Sequence, residues 1–195
     1  MHTRLSADKP GFERDQQLLA AVAAGDRRAL EELYLGYHRR LSRFLSRFTA
    51  RYETIEEIIN DTFMVVWQRA RDFRGASRVS TWIIGIAYRT ALKALRREDA
   101  HRSETSEARE PSTDPTRDAE LSDWVAHGLA QLPLEQRMVL ELAYHLGHSI
   151  EEISAITEAP VGTVKARMFH AREKLRQFLP TLAGVDPTFL EGLSP

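Results

Sequence analysis

Apolar residues in the first hundred positions recur at intervals of three and four, which is the spacing of one face of an α-helix. A short stripe around Leu18, Leu19 and Val22 comes first. The longer stripes that follow contain Leu33, Tyr37, Leu41, Phe44, Leu45 and Phe48, then Ile55, Ile59, Phe63, Val66 and Ala70, and finally Val79, Trp82, Ile83, Ile86, Ala87, Ala91 and Leu95. The two-residue alternation of strands is nearly absent. The pattern predicts a helical N-terminal domain over residues 12–98.

The segment from Glu98 to Arg117 has no large apolar residue, and its two prolines interrupt any helix. It therefore predicts a flexible linker over residues 99–117. Apolar spacing resumes at Leu121, and Pro133 opens a further helix that ends before Gly147. These features predict a second helical domain over residues 118–180 and a tail over residues 181–195. The predicted fold class is all-α, with two small helical domains.

A helix-turn-helix is predicted within the second domain. Ser149 and Glu152 have the S-x-x-E spacing of a capping box, which starts a short helix with isoleucines on its buried side. Thr157 to Pro160 then turns the chain, and a second helix runs from Val161 to Gln177. The apolar residues of this second helix that should face the core are Val164, Met168, Ala171 and Leu175.

The outer face of that second helix carries Lys165, Ala166, Phe169 and His170. Between Val161 and Arg176 the chain has five basic residues and one acidic residue. A helix with such a face can lie in the major groove of DNA. The alternative is a plain surface hairpin with a solvated basic face, although an outward aromatic side chain such as Phe169 favours a contact.

The composition narrows the function classes. The 195-residue chain has a formal net charge of −1, so any nucleic-acid binding must depend on local charge. It contains no cysteine, which excludes disulfides, zinc ribbons and thiolate nucleophiles. No apolar run reaches the roughly 20 residues that span a bilayer, and the N-terminus lacks the apolar centre of a signal peptide. We therefore expect a cytoplasmic protein without membrane insertion.

A second basic concentration runs from Arg69 to Arg97, with eight basic residues and one acidic residue. It is interleaved with Phe73, Trp82 and Tyr88. Cations beside aromatic rings are typical of single-stranded nucleic-acid binding, because phosphates need cations and bases need stacking partners. The alternative for Trp82 is a place in the core.

Acidic residues share one face of the second long helix, opposite its apolar stripe: Glu53, Glu56, Glu57 and Asp61. Because this acidic stripe would repel phosphate, it is either a solvated face or a contact for a basic protein partner.

The sequence offers no catalytic constellation. His145 and His148 have an H-x-x-H spacing but no third ligand, and both a Gly-rich phosphate loop and a nucleophile elbow are missing. We expect no metal, no cofactor and no catalytic residue, and thus a protein that is not an enzyme.

Three segments resemble the extracytoplasmic-function (ECF) sigma factors of the sigma-70 family. They are TIEEIINDTFMVVW (residues 54–67), STWIIGIAYRTALKALRR (80–97) and VGTVKARMFHAREKL (161–175). The resemblance implies a subunit that binds core RNA polymerase, recognises the minus-ten and minus-thirty-five promoter elements and helps melt the start site. Residues 12–98 would be sigma region 2, and residues 118–180 would be sigma region 4.

The resemblance also implies roles for individual residues. Those that would bind the clamp helices of the largest polymerase subunit are Glu56, Glu57 and Asp61. Those at the minus-ten element would be Trp82, Arg89, Lys93, Arg96 and Arg97. At the minus-thirty-five element, bases would be contacted by Lys165, Ala166, Phe169 and His170, and phosphates by Arg167 and Arg172. An anti-sigma factor that covers the polymerase-binding surfaces is a further expected partner.

Three positions depart from the family's usual residues. Asn60 replaces Gln, Arg89 replaces an Asn found in many members, and Thr54 replaces a common acidic residue. One hypothesis is that phosphorylation of Thr54 restores negative charge to the acidic stripe. The competing functions are a stand-alone helix-turn-helix regulator, for which the sequence shows no dimerisation segment, and a nucleic-acid-processing enzyme.

Overall fold

The computed structural model describes the backbone of residues 9–105 and 127–182, and the side chains of residues 12–100 and 127–178. The chain divides into two compact units, one formed mainly by residues before position 100 and the other mainly by residues after it. Both units are built from α-helices, and the described ranges contain no strand. The predicted all-α fold class is confirmed.

The N-terminal unit is a group of packed helices whose buried faces follow the predicted stripes. Its helices are α1 (Lys9–Ala23), α2 (Arg27–Leu45), α3 (Tyr52–Arg69) and α4 (Val79–Thr105), with a short 3-10 helix (Ala70–Asp72) after α3. Helix α2 packs against both α1 and α3. The residues that form this core include Leu33, Leu41, Phe44, Ile59, Val66, Ile83, Ala87 and Leu95.

The connection between α1 and α2 is set by local chemistry. Gly25 has a φ of 96°, a left-handed conformation that glycine adopts without steric penalty. Asp26 then caps α2, since its carboxylate accepts hydrogen bonds from the backbone N–H groups of Arg28 (2.8 Å) and Ala29 (3.3 Å). The chain therefore reverses within three residues and brings α2 back against α1.

Tyr37 of α2 joins this helix to α1. Its hydroxyl donates a hydrogen bond to Asp15 of α1. Burial, together with the bond to Asp15, raises the pKa of the Tyr37 phenol far above its ordinary value. The folded chain therefore keeps this phenol protonated, and a hydrogen-bond donor, to higher pH than a free tyrosine.

The C-terminal unit contains α5 (Leu134–Tyr144), α6 (Ile150–Thr157) and α7 (Val161–Leu182), and residues 127–130 are also helical. Helix α5 packs on α7. Gly147, with a φ of 71°, lies in the connection between α5 and α6. Part of the core of this unit is a cluster formed by Leu129, Leu132, Leu140, Ala171 and Leu175.

Two helix ends differ from the predicted ones. Helix α4 continues to Thr105, so residues 99–105 of the predicted linker are helical. No Gly or Pro occurs between Arg96 and Thr105, and an established helix can extend through polar residues without a breaker. Helix α7 likewise continues past Gln177 to Leu182. The rest of the predicted linker, residues 106–117, and the tail from residue 183 lie outside the described residues.

None of the described helices is both long enough and apolar enough to cross a membrane.

Candidate nucleic-acid and partner interfaces

The helix-turn-helix consists of α6, a short turn and α7. The Ser149 hydroxyl accepts a hydrogen bond from the Glu152 N–H (3.2 Å), and the Glu152 carboxylate accepts one from the Ser149 N–H (3.0 Å). This is the predicted capping box. In the turn, the Ser154 hydroxyl donates to the Ala159 carbonyl oxygen at 2.6 Å. Side-chain bonds thus fix both the start of α6 and the approach to α7.

The start of α6 also lies within electrostatic range of α7. Hydrogen bonds with the backbone and with Ser149 lower the pKa of Glu151, and the positive charge of Lys165 adds to this effect.

Helix α7 buries one side and exposes the predicted DNA face. The buried side contains Val164, Met168 and Ala171. The exposed residues are Lys165, Ala166, Phe169, His170 and Arg172. The Phe169 side chain is 63% exposed, and its ring lies edge-on to that of His170 with 5.6 Å between centroids. The structure thus brings an apolar ring and two cations, Lys165 and Arg172, together on one exposed face.

Arg167 is placed differently from these neighbours. Its guanidinium forms an ion pair with Glu135 of α5, with an Nη2–Oε2 distance of 2.5 Å, and the side chain is half-buried. This ion pair joins α7 to α5. The phosphate contact predicted for Arg167 requires an outward guanidinium, a condition that the exposed Arg172 meets more fully.

The predicted minus-ten residues lie along one side of α4. Steps of seven, four and then three or four residues separate them, and this spacing keeps side chains on one face of a helix. The residues are Trp82, Arg89, Lys93, Arg96 and Arg97. The Trp82 ring is half-buried against Phe73, with 5.4 Å between centroids, so part of the indole stays accessible. Arg89 is half-buried, whereas the three later cations are exposed. An aromatic ring and a row of cations therefore share this face.

Tyr88 does not belong to that face, and its interpretation as a stacking residue is wrong. Its side chain is buried in the core of the N-terminal unit. Ile84, Tyr88, Ala91 and Leu95 are all buried and follow one another at steps of four, three and four. This helical spacing is the sequence signal that identifies Tyr88 as a core residue.

Helix α3 presents the acidic stripe. Glu53, Glu57 and Asp61 are exposed, whereas Glu56 is half-buried and lies with both carboxylate oxygens 3.0 and 3.1 Å from His38 Nε2 of α2. The stripe is therefore accessible along most of its length, and one of its members is held by α2.

A second contact one helical turn away repeats this arrangement. Tyr34 of α2 donates a hydrogen bond to Asn60 Oδ1 of α3 at 3.2 Å. Burial, with the negative charge of Glu56 nearby, raises the pKa of the Tyr34 phenol and keeps it a donor. Two α2 residues spaced by four thus hold two α3 residues spaced by four. We call Tyr34, His38, Glu56 and Asn60 the α2–α3 clasp.

Exposed apolar side chains on the same surface were missed from the sequence. Tyr52 is 66% exposed and Met64 is 57% exposed, and both lie at four-residue steps from the clasp residues of α3. Leu35 of α2, next to Tyr34, is also exposed. Apolar side chains within a charged surround are typical of protein–protein interfaces. Their spacing relative to the acidic stripe was the available signal.

Thr54 is buried and is not part of the exposed acidic stripe. Its side chain is 9% exposed, and its hydroxyl donates to the Glu98 carboxylate of α4 at 3.4 Å. A phosphate on Thr54 would have to enter the core and face that carboxylate. The hypothesis that phosphorylation of Thr54 restores charge to the stripe is therefore wrong, because this side chain joins α3 to α4.

The described residues contain no group of three or more His, Asp or Glu side chains placed to hold a metal ion. His148, one of the two histidines considered from the sequence, has its Nδ1 atom 3.3 Å from the Glu152 carboxylate. It contributes to the start of α6.

Comparison with known proteins decides the family. A profile described as Sigma-70 region 2 matches residues 33–101, and one described as Sigma-70, region 4 matches residues 122–175. The ECF RNA polymerase sigma factor SigM of Mycobacterium tuberculosis is 35% identical over 166 residues, which cover 85% of this chain and 84% of the relative. The chain belongs to the ECF sigma factors of the sigma-70 family.

Other sigma factors are similar over comparable lengths. The RNA polymerase sigma-H factor of Pseudomonas aeruginosa is 32% identical over 185 residues, covering 87% of this chain and 96% of the relative. The ECF RNA polymerase sigma-E factor of Escherichia coli is 31% identical over 176 residues, covering 83% and 92%. This protein is therefore an RNA polymerase sigma factor.

Two solved structures share the fold. CnrH in complex with the cytosolic domain of CnrY gives a TM-score of 0.65 at 24% identity, covering 86% of this chain and 98% of that chain. RpoE of Bartonella quintana in complex with the anti-sigma factor NepR gives 0.61 at 22% identity, covering 80% and 97%. In the present sigma factor, the acidic stripe and the α4 face lie within the region 2 match, and the exposed α7 face lies within the region 4 match.

Proposed function

We propose that this sigma factor binds core RNA polymerase through α3, recognises the minus-ten element through α4 and recognises the minus-thirty-five element through α7. The observation that carries the proposal is the presence of three exposed faces with different chemistry on three helices. One is acidic with apolar side chains, and two are basic with an accessible aromatic ring.

The α3 face suits a basic protein surface. Glu57 and Asp61 repel phosphate but can pair with Lys and Arg of a partner. Tyr52 and Met64 supply apolar anchors, which carry much of the binding energy in protein interfaces. The α2–α3 clasp keeps this face rigid, so little conformational entropy is lost on binding. We assign it to the clamp helices of the largest polymerase subunit.

The α4 face suits a melted strand. An accessible indole such as that of Trp82 can stack on an unpaired base, a contact that typically contributes about 1–3 kcal/mol. Lys93 and Arg97 are exposed on the same side and can bind the adjoining phosphates. Binding would favour the opened minus-ten element over the duplex, because only unpaired bases offer a free ring face.

The α7 face suits a duplex. Lys165 can donate to guanine O6 and N7 in the major groove, and the apolar ring of Phe169 can contact a thymine methyl group. Arg172 is exposed for a phosphate contact. This face would set the base preference at the minus-thirty-five element.

An anti-sigma factor is the proposed inhibitor. CnrH and RpoE were each solved with a protein partner, and the partner of RpoE is an anti-sigma factor. We assign such a partner to the α3 face of this chain, so that inhibitor and polymerase compete for the same apolar and acidic residues.

In vitro transcription tests the proposal. Purified protein with core polymerase should start RNA at a defined position on a promoter with both elements, and core polymerase alone should not. A stand-alone regulator would instead bind a palindromic duplex tightly without polymerase. That result, with no initiation, would overturn the proposal.

A further inference from the structure

Arg39 and Arg43 of α2 form an exposed basic pair that the three faces above do not use. They lie one turn apart, away from the side of α2 that buries Tyr37, Leu41 and Phe44. Arg47, just after α2, is exposed and continues the row. Within the part of the chain that the structure describes, neither the Arg39 nor the Arg43 guanidinium has a hydrogen-bond or ion-pair partner.

This pair is unfavourable for the isolated helix. Like charges four residues apart on a helix repel each other. The negative end of the helix dipole offsets the repulsion at Arg43, which lies in the last turn of α2, but its effect falls off before Arg39. An anionic partner would remove the repulsion.

The row leads to the proposed minus-ten face. Arg51, four residues after Arg47 in the connection between α2 and α3, forms an ion pair with Glu98 of α4 at 3.5 Å. Glu98 directly follows Arg96 and Arg97, the last cations of the α4 face. The basic row of α2 and the basic face of α4 therefore end at the same end of the N-terminal unit.

We propose that Arg39 and Arg43 bind backbone phosphates of promoter DNA beside the minus-ten element, independently of base sequence. The inference rests on the proposed function, because it adds Arg39 and Arg43 to the DNA-binding surface that is proposed for α4. Guanidinium groups match phosphate geometry with paired donors. One turn of helix separates the two groups by about 6 Å along the axis, so they can reach different phosphates of one strand.

The test is the salt dependence of promoter binding. Holoenzyme with the Arg39→Gln/Arg43→Gln double variant is titrated with fluorescent promoter DNA at several salt concentrations. Each lost phosphate contact lowers the slope of log affinity against log salt by about 0.7 for a single strand and about 0.9 for a duplex. We expect the slope to fall by about 1.4–1.8 and the affinity at 0.1 M salt to fall at least about tenfold.

Two control variants separate a local contact from general effects. Arg27→Gln/Arg28→Gln removes the same charge from the other end of α2 and should leave the slope unchanged. Arg39→Lys/Arg43→Lys keeps the charge and should retain most of the slope, which distinguishes a lost contact from misfolding. The loss should also be the same on promoters that differ in sequence beside the minus-ten element.

Three results would overturn the inference: an unchanged slope, an equal effect of the Arg27/Arg28 variant, or weaker core polymerase binding with DNA binding intact. The third result would assign the row to an acidic protein surface. Failure of the unmodified holoenzyme to initiate would instead overturn the proposed function, so the two failures are distinguishable.

Discussion

Tyr37 holds α1 against α2 through one hydroxyl group, and this arrangement has a pH signature. Folding raises the pKa of the phenol, so the unfolded chain loses this proton first as the pH passes about 10. The stability that the protonated phenol contributes is therefore fully present below about pH 10 and declines above it.

We expect Tyr37→Phe to lower the free energy of unfolding at pH 7 by about 1–2 kcal/mol, because Asp15 loses its donor. The variant should also lose stability less steeply than the wild type between pH 10 and 11. Denaturant titrations at the three pH values measure both effects. Tyr144→Phe, at an exposed tyrosine, is the control. The prediction would be contradicted if the free energy of unfolding of Tyr37→Phe fell as steeply between pH 10 and 11 as that of the wild type.

Substitution of Lys165 tests whether promoter recognition by the C-terminal domain is separate from polymerase binding by the N-terminal domain. Lys165→Ala should weaken promoter use by about 1–3 kcal/mol, or roughly 5- to 150-fold, because the proposed base contact of this side chain would be lost. Core polymerase affinity should not change. Transcription and polymerase-binding assays measure the two properties separately, with Lys174→Ala as a charge-matched control on the same helix. Loss of both properties together would refute the division.

Side-chain placement on a helix could be predicted from the sequence, but its contacts with other elements could not. The three-and-four spacing correctly placed Val164 in the core and Phe169 on the surface, because helix geometry alone fixes the angle between them. Arg167 differs because its partner, Glu135, lies on another helix. Which residue meets a half-buried side chain depends on packing between helices.

At the scale of elements, the sequence predicted helix existence better than helix ends. Polar residues after Glu98 indicated a linker, yet α4 continues to Thr105 because a packed helix needs no apolar stripe to extend by two turns. The acidic residues of the α3 face were predicted from the sequence, but its exposed apolar residues were not. Its carboxylates form a recognisable stripe, whereas the exposed Met64 and Tyr52 were missed, although their four-residue spacing from Asn60 and Glu56 was a signal in the sequence.

Met64 gives a test of the α3 face. Met64→Ala should lower the affinity for core polymerase by about 1 kcal/mol or more, which is at least about fivefold, because an apolar anchor is truncated. The stability of the free chain should change little, since the side chain is exposed. Competition binding to core polymerase measures the effect, and Phe12→Ala on α1 is the matched control. Equal affinities of wild type and Met64→Ala would exclude this face from the polymerase contact.

At the scale of the whole molecule, the two helices proposed to contact DNA, α4 and α7, lie in different units of one chain. Their contributions to promoter binding should therefore be independent. The free-energy losses of Lys93→Ala in α4 and Lys165→Ala in α7 should add to within about 0.5 kcal/mol in the double variant. Holoenzyme affinity for a promoter with both elements measures this sum. A double variant no weaker than one of the single variants would indicate that the two helices act on one step.

The exposed apolar residues of the α3 face have a consequence for the free subunit. Tyr52 and Met64 contact water whenever no partner covers them, and exposed apolar patches promote self-association. Chains made in excess of polymerase should therefore bind another protein partner, aggregate or be degraded. The solubility of the free subunit should therefore depend on how much partner protein is present to cover these residues.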